Sequence, residues 1–248
     1  MHNCLVGSEM CIRDSILADK LVIPEKNKKF FSEKVIYLPH SYQPSELNRI
    51  ISNRKLSKKD FNLPENKFIY CCFNSNQKIL PSHFNVWMNI LKKTPDSILW
   101  LLSGNDTSDK NLISEAEKKG VESKRIIFSK KIPIEEHLGR IKLADLFLDT
   151  FPITAHTTAN DALWVELPIL TLAGKSMVSR VAGSLLNNIN MKELITYSYN
   201  DYKNMALKLS NDKNYYNKVK SRLQKERLAS PLFNTCLLYT SDAADDRM

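Results

Sequence analysis

Of the five cysteines in 248 residues, Cys4, Cys11 and Cys236 fall in short terminal stretches discussed below, which leaves only the adjacent pair Cys71 and Cys72. Neighbouring residues of a strand point to opposite faces, so this pair reads as two small core residues. There is no CxxC pair and no His/Cys cluster, and so no metal site is expected. Such sparing cysteine use fits a reducing compartment, and the expected location is the cytoplasm. No apolar run reaches the length needed to cross a bilayer, which argues against a membrane protein; a signal peptide could still have preceded the first residue. No internal repeat is visible.

The charge balance narrows the partners. The formal net charge is +9; the stretches 1–15 and 236–248 carry −1 and −2, so about +12 belongs to the middle of the chain. An anionic ligand fits that excess. Nucleic acid does not, because the lysines are scattered over helix surfaces such as Lys203–Lys225 and form no basic stripe interleaved with aromatics. A hydrophobic content of 43% with ordinary charge content indicates a globular chain with one substantial α/β domain and a short extra segment.

Both ends read as foreign. Met10–Ser15 (MCIRDS) and Cys236–Ser241 (CLLYTS) can be written as translations of opposite strands of one DNA segment, which resembles the end sequence of transposase-based sequencing-library adapters. Gly7-Ser8-Glu9 and Asp242-Ala243-Ala244-Asp245 fit its extensions. Residues 1–15 and 236–248 are therefore expected to be translated adapter and are set aside in reasoning about the fold. Native codons running continuously through both ends at the source locus would refute this.

Between the ends, strands alternate with helices. A short strand at Lys34–Leu38 and a polar basic connector through Asp60 make residues 16–60 the tail of a preceding domain followed by a linker. From residue 61 to 235 the order is strand Phe68–Phe73, helix Pro81–Lys93, strand Ile98–Leu102, helix Lys110–Lys119, strand Arg125–Phe128 and helix Ile134–Leu143. It continues with strand Leu146–Asp149, helix Thr158–Glu166, strand Ile169–Leu172, helix Met177–Asn187 and helices near Tyr202–Leu209 and Asn214–Leu228. Apolar strands without alternation, separated by amphipathic helices, indicate a parallel sheet covered on both faces: an α/β, doubly wound, Rossmann-like domain. Its ligands belong at the carboxyl ends of the strands.

The stretch Ala144–Leu172 carries the chemistry. An apolar strand ends in Asp149-Thr150, and His156-Thr157-Thr158 stands where the next helix begins, with Asp161 one turn further in. Free backbone N–H groups, the helix dipole and two hydroxyls suit a phosphate. A purely structural reading stands beside it, in which Thr157 or Thr158 caps the helix and His156 is an ordinary surface histidine. Trp87, Trp100 and Trp164 fall on apolar faces and read as core, while His40 and His83 have no evident partner.

His156-Thr157-Thr158, with Asp161, Leu163-Trp164 and Pro168, resembles the nucleotide-sugar signature of the O-linked N-acetylglucosamine transferase family, glycosyltransferase family 41. Further blocks match in the same order: Phe73–Ile79 (F-N-x-x-x-K-I), Ser97–Leu102 (S-x-L-W-L-L), Arg125–Ser129 with Glu135-Glu136-His137, Ser179–Ala182 (S-R-V-A) and Ser230–Thr235 (S-P-L-F-N-T). Together they run from about Val35 to Thr235, and a series with compatible spacing is far more specific than one block.

The resemblance implies the C-terminal, donor-binding half of a GT-B glycosyltransferase that moves N-acetylglucosamine from UDP to Ser or Thr hydroxyls. It makes Lys78 the catalytic residue that stabilises departing UDP, and His156, Thr157 and Thr158 the diphosphate loop. It implies that His137 stacks on uracil and that Asp161 takes the ribose hydroxyls; Arg140, three residues after His137 and on the same helical face, is placed to support it. Asn74, Ser75 and Gln77 are further loop contacts, and Ser179-Arg180 is either an anion contact or sheet packing. The partners implied are UDP-GlcNAc, a protein or peptide acceptor, a missing N-terminal catalytic half and upstream tetratricopeptide repeats; no cofactor or metal is implied. Two positions depart from the pattern. Ile134 stands where animal enzymes carry a lysine, and Asn160 replaces a hydrophobe, which bears on the identity of the sugar. Another GT-B transferase and a noncatalytic nucleotide-sugar-binding module are the alternatives, and the intact gene would separate them.

Overall fold

The computed structural model of the protein describes residues 14–43, 45 and 48–234. The stretches read as adapter lie outside those residues apart from Asp14 and Ser15, as do the three terminal cysteines and Thr235.

Two parallel sheets are present among the described residues. The smaller pairs β1 (Ser15–Ala18) with β2 (Lys34–Tyr37), Ser15 opposite Lys34. The larger has six strands: β3 (Phe68–Cys72), β4 (Ser97–Leu102), β5 (Ile126–Ser129), β6 (Leu146–Leu148), β7 (Ile169–Leu172) and β8 (Ile195–Thr196). Their order is β5-β4-β3-β6-β7-β8, with every neighbouring pair parallel. Counted from β3, this is the six-strand Rossmann order, whose switch point lies between β3 and β6.

Why the sheet is parallel and central follows from its side chains. Ile69, Tyr70, Cys71 and Cys72 in β3, Leu146–Leu148 in β6 and all of β7 are buried. Successive strand residues face opposite ways, so burial of consecutive residues requires cover on both faces. That cover comes from α1 (Pro81–Lys93), α2 (Asp106–Lys118), α3 (Ile134–Ile141), α4 (Thr157–Trp164), α5 (Val181–Asn188), α6 (Tyr199–Asn211) and α7 (Lys213–Ala229). Helix α1 opens on Pro81 at its first turn, where a missing N–H costs nothing, and buries His83, Phe84, Trp87, Met88, Ile90 and Leu91 along one stripe. Burial holds both the Cys71 and Cys72 thiols well above the ordinary range, as expected of inert core cysteines. Trp87 and Trp100 are fully buried and Trp164 is half-buried.

The elements differ from the sequence expectation mainly at their ends. Strands β1 and β8 were not expected, and β1 begins at Ser15, inside the stretch read as adapter. Helix α2 starts at Asp106 instead of Lys110, because the Asn105 side chain accepts from Ser108 N at 2.8 Å while Ser108 Oγ accepts from Asn105 N at 3.1 Å. Helix α6 starts at Tyr199, since Ser198 Oγ accepts from Asp201 N. The segment expected as one helix from Met177 is a 3-10 turn (Met177–Ser179) followed by α5.

The β1–β2 unit is joined to the larger domain through a buried carboxylate. Asp19 Oδ1 accepts from Leu21 N and Val22 N, both at 2.9 Å, and Oδ2 accepts from Tyr42 N at 3.2 Å and from Ser184 Oγ of α5 at 2.6 Å.

Candidate functional site

Three loops leave the carboxyl ends of β3, β5 and β6 and meet at the switch point. The centre of the arrangement is Asp149, the residue after β6, which is wholly buried. Its Oδ1 accepts from Thr150 N (2.8 Å), Ala155 N (2.7 Å) and Asn74 Nδ2 (3.1 Å), and its Oδ2 from Thr171 Oγ1 (2.6 Å). Burial pushes its carboxyl up to about 6, against the pull of those four donors. Its backbone carbonyl meets His83 Nε2 at 2.7 Å and accepts from Tyr202 Oη at 3.0 Å. His83 is therefore a core histidine, packed among Trp87, Phe151 and Tyr202 and held down to about 4 by burial.

Asp149 shapes the loop that leads into α4. Within it Thr150 Oγ1 donates to Ile153 O (2.7 Å) and Thr154 Oγ1 to Val178 O (2.8 Å), tying it to the loop after β7. Gly174 permits that approach: a Cβ there would stand 2.6 Å from Ser179 Oγ and 2.8 Å from the Phe151 ring. Arg180 closes the same corner by donating to Gly174 O at 2.8 Å, so it serves loop packing.

His156 is the N-cap residue of α4, and its carbonyl accepts from Ala159 N and Asn160 N. The N–H groups of Thr157 and Thr158 in the first turn have no backbone partner among the described residues and are available to an anion. Thr157 is exposed, whereas Thr158 Oγ1 donates to Asn74 Oδ1. Burial, then the nearby Lys78 charge, lowers the His156 pKa, and its Nε2 is buried with no partner among the described residues. A buried ring nitrogen without a partner is uncommon in a folded protein.

The loop after β3 contributes Asn74 and Lys78. Asn74 is buried; its Nδ2 also donates to Thr150 Oγ1 at 2.8 Å, so both ends of its amide are engaged in joining β3, β6 and α4. Lys78, at the end of a 3-10 turn (Asn76–Lys78), is half-buried and donates from Nζ to Thr154 O at 3.2 Å. Two of its three N–H donors remain free for a ligand. Ser75 and Gln77 are exposed on the outer side of this turn.

On α3, His137 and Arg140 stand three apart on one face. Arg140 Nε donates to His137 Nδ1 at 2.9 Å, Arg140 Nη1 donates to Lys130 O at 2.6 Å, and the guanidinium lies 4.6 Å from the centre of the Phe73 ring. Burial, then the positive charges of Arg140 and Arg49, pushes His137 down to about 4, so the ring is neutral with its proton on Nε2. Phe73 meets it edge-on at 5.2 Å. A neutral ring locked by an arginine is a flat, polarizable surface. Arg140 is itself buried, which makes it a support for His137.

Asp161, on the inner side of α4, is buried and forms an ion pair with Arg49. Arg49 belongs to the stretch read as a linker, and neither it nor Asp149 was among the expected site residues. An arginine in a polar connector has no sequence signature, and the burial of Asp149 depends on partners up to 75 residues away. The described residues contain no group of three or more His, Cys, Asp or Glu able to hold a metal ion and no helix long and apolar enough to cross a membrane.

The chain is similar in sequence and in fold to known proteins. SEC of Arabidopsis thaliana, named "Probable UDP-N-acetylglucosamine--peptide N-acetylglucosaminyltransferase", is 36% identical over 90% of this chain, and the corresponding transferase of Caenorhabditis elegans is 34% identical over 72% of it. The chain spans only 23% and 16% of those two relatives. A solved mutant O-GlcNAc transferase from Thermobaculum terrenum superposes with a TM-score of 0.82 at 23% identity, covering 93% of this chain and 44% of that one, which establishes the shared fold. The sequence profile of glycosyl transferase family 41 matches residues 45–243, and the chain belongs to that family.

Proposed function

We propose that this chain is the donor-binding, C-terminal half of a GT-B protein O-glycosyltransferase that transfers N-acetylglucosamine from UDP to Ser or Thr hydroxyls in the cytoplasm. The observation that carries the reading is the convergence, at one switch point, of a lysine, free helix N–H groups, a neutral locked imidazole and a buried carboxylate. These are the groups a uridine diphosphate needs. Lys78 and the Thr157 and Thr158 N–H groups face the diphosphate, with His156 Nε2 as a further polar contact. His137 stacks on the base, and Asp161 accepts from the ribose hydroxyls. Keeping a carboxylate for the diol and positive charge for the phosphates avoids repulsion between anions.

In the transfer, the acceptor hydroxyl oxygen bonds to the anomeric carbon while the bond to the β-phosphate oxygen breaks, its electron pair leaving on UDP. Lys78 and the helix N–H groups stabilise that growing negative charge, the main chemistry available to this half. The hydroxyl proton goes to a base outside this chain, and no residue here is assigned that role. The polar Asn160 and the Ile134 position leave room for a sugar other than N-acetylglucosamine, which the donor competition below also tests.

Calorimetry with this chain is expected to show UDP binding more tightly than ADP or UMP: ADP fails at the base and UMP lacks the second phosphate. Equal affinity for UDP and ADP would remove His137 from the base site. Competition of UDP-N-acetylglucosamine against UDP-glucose tests the sugar, and preference for UDP-glucose would overturn that part of the reading.

Lys78→Ala in the protein with its upstream half restored is expected to lower turnover by about 10²–10³-fold, as loss of one transition-state donor does. Stability should change by less than about 0.5 kcal/mol, since the lysine is only half-buried and has one hydrogen bond. Steady-state kinetics alongside a thermal melt check both, and near-wild-type turnover would exclude Lys78 as the stabiliser of departing UDP.

A further inference from the structure

Arg49 precedes the first strand of the six-stranded sheet in the chain, and two independent contacts fix it against α4. Its guanidinium pairs with Asp161 Oδ1, and its own backbone carbonyl accepts from Trp164 Nε1 at 3.2 Å, one helical turn further on. Both charged side chains are largely withdrawn from water, at 11% and 5% exposure. Asp161 Oδ2 makes no hydrogen bond among the described residues, so the carboxylate has one oxygen held and one free.

We propose that Arg49 is a positioning residue of the nucleoside site, holding the Asp161 carboxylate ionised and turned so that its free oxygen receives the ribose hydroxyls. This deepens the reading of Asp161 as the ribose contact and rests on it. Burial by itself raises the Asp161 pKa, and the hydrogen bond and charge of Arg49 act against that rise. A buried carboxyl without this partner gains a proton and loses acceptor capacity. The same guanidinium also helps keep His137 uncharged. One side chain from the connector thus acts on both the ribose group and the base group. A buried ion pair is weak as a source of net stability.

The test uses this chain with UDP and 2′-deoxy-UDP. The wild type is expected to prefer UDP by about tenfold or more, the scale of a hydrogen bond to a charged group. In Arg49→Gln that preference falls to within about twofold, while affinity for inorganic pyrophosphate is unchanged; Arg49→Lys, which keeps the charge, retains most of it. A merely structural tether would weaken both nucleotides equally and leave their ratio intact, and that result would overturn the proposal. Tighter UDP binding by Arg49→Gln would also overturn it, by making Arg49 a competitor for the ribose site. Nuclear magnetic resonance of the wild type gives a readout free of folding effects: the Arg49 guanidinium signals should shift with UDP but not with pyrophosphate, and their failure to do so counts against the assignment. A wild type that does not distinguish the two nucleotides would remove Asp161 from the ribose, and the inference with it; discrimination surviving in Arg49→Gln removes only the inference.

Discussion

Given UDP-N-acetylglucosamine and a Ser- or Thr-containing peptide, this chain alone is expected to transfer no detectable sugar, with activity returning when the upstream half is joined to it. The expectation follows from what the switch point presents. In the proposed reading Lys78, the first turn of α4, His137 and Asp161 address a nucleotide, and no described group is assigned to hold an acceptor hydroxyl against the anomeric carbon. Bringing two reactants into attacking geometry is worth roughly 7–11 kcal/mol in favourable cases. One wall of a cleft can bind the donor yet forgo that entire contribution, a loss on the order of 10⁵-fold or more. Mass spectrometry of the peptide, with UDP release measured in parallel, gives the answer. Peptide glycosylation by residues 16–235 alone would contradict the two-half reading and send the search for the acceptor site into this domain.

Asp149→Ala is expected to be the most damaging single substitution near the site, through structure and not through contact with ligand. It leaves the Thr150 and Ala155 N–H groups and the Thr171 hydroxyl without their buried acceptor. Each orphaned buried donor costs about 1–3 kcal/mol. Three such donors give a loss of at least about 3 kcal/mol, a large share of the roughly 5–15 kcal/mol by which a domain is usually stable. Asp149→Asn keeps an acceptor oxygen for the backbone donors and turns an N–H toward Thr171, and should cost less than about 2 kcal/mol. Urea denaturation separates the two, and equal midpoints for wild type and the alanine variant would refute the role.

The pH dependence of the same residue has a definite sign. The folded carboxyl titrates at about 6, above its ordinary 3.8, so the folded state binds its proton more tightly than the unfolded chain. Its favourable contribution is complete below pH 4 and is lost as pH rises through 6. Stability measured at intervals between pH 4 and 6.5 should therefore fall less steeply for Asp149→Asn than for the wild type, and identical slopes would exclude the shift.

The alternation of strands and helices was plain in the chain from Phe68 onward, because unbroken apolar strands and amphipathic helices differ in period. Helix starts were read less well. The cap at Asn105 and Ser108 sits in a polar run that carries no hydrophobic periodicity, so α2 was placed four residues late. Strand β8 has only two residues and exists because Thr171 and Leu172 offer it an edge.

The site divides along the same line. Local order along the chain was enough to place Lys78, His137 and His156–Asp161 on loops and helix starts at the carboxyl edge, since each motif is contiguous and its element is set by nearby residues. Separation in sequence hid the rest. That Asn74 and Thr158 bond to each other, that Asp149 gathers donors from β3, β7 and its own loop, and that an arginine from the connector sits on Asp161 depend on chain segments 22 to 112 residues apart. Pattern and period act over one or two turns of chain. A buried carboxylate acquires its partners, and its charge state, only when the sheet has closed around it.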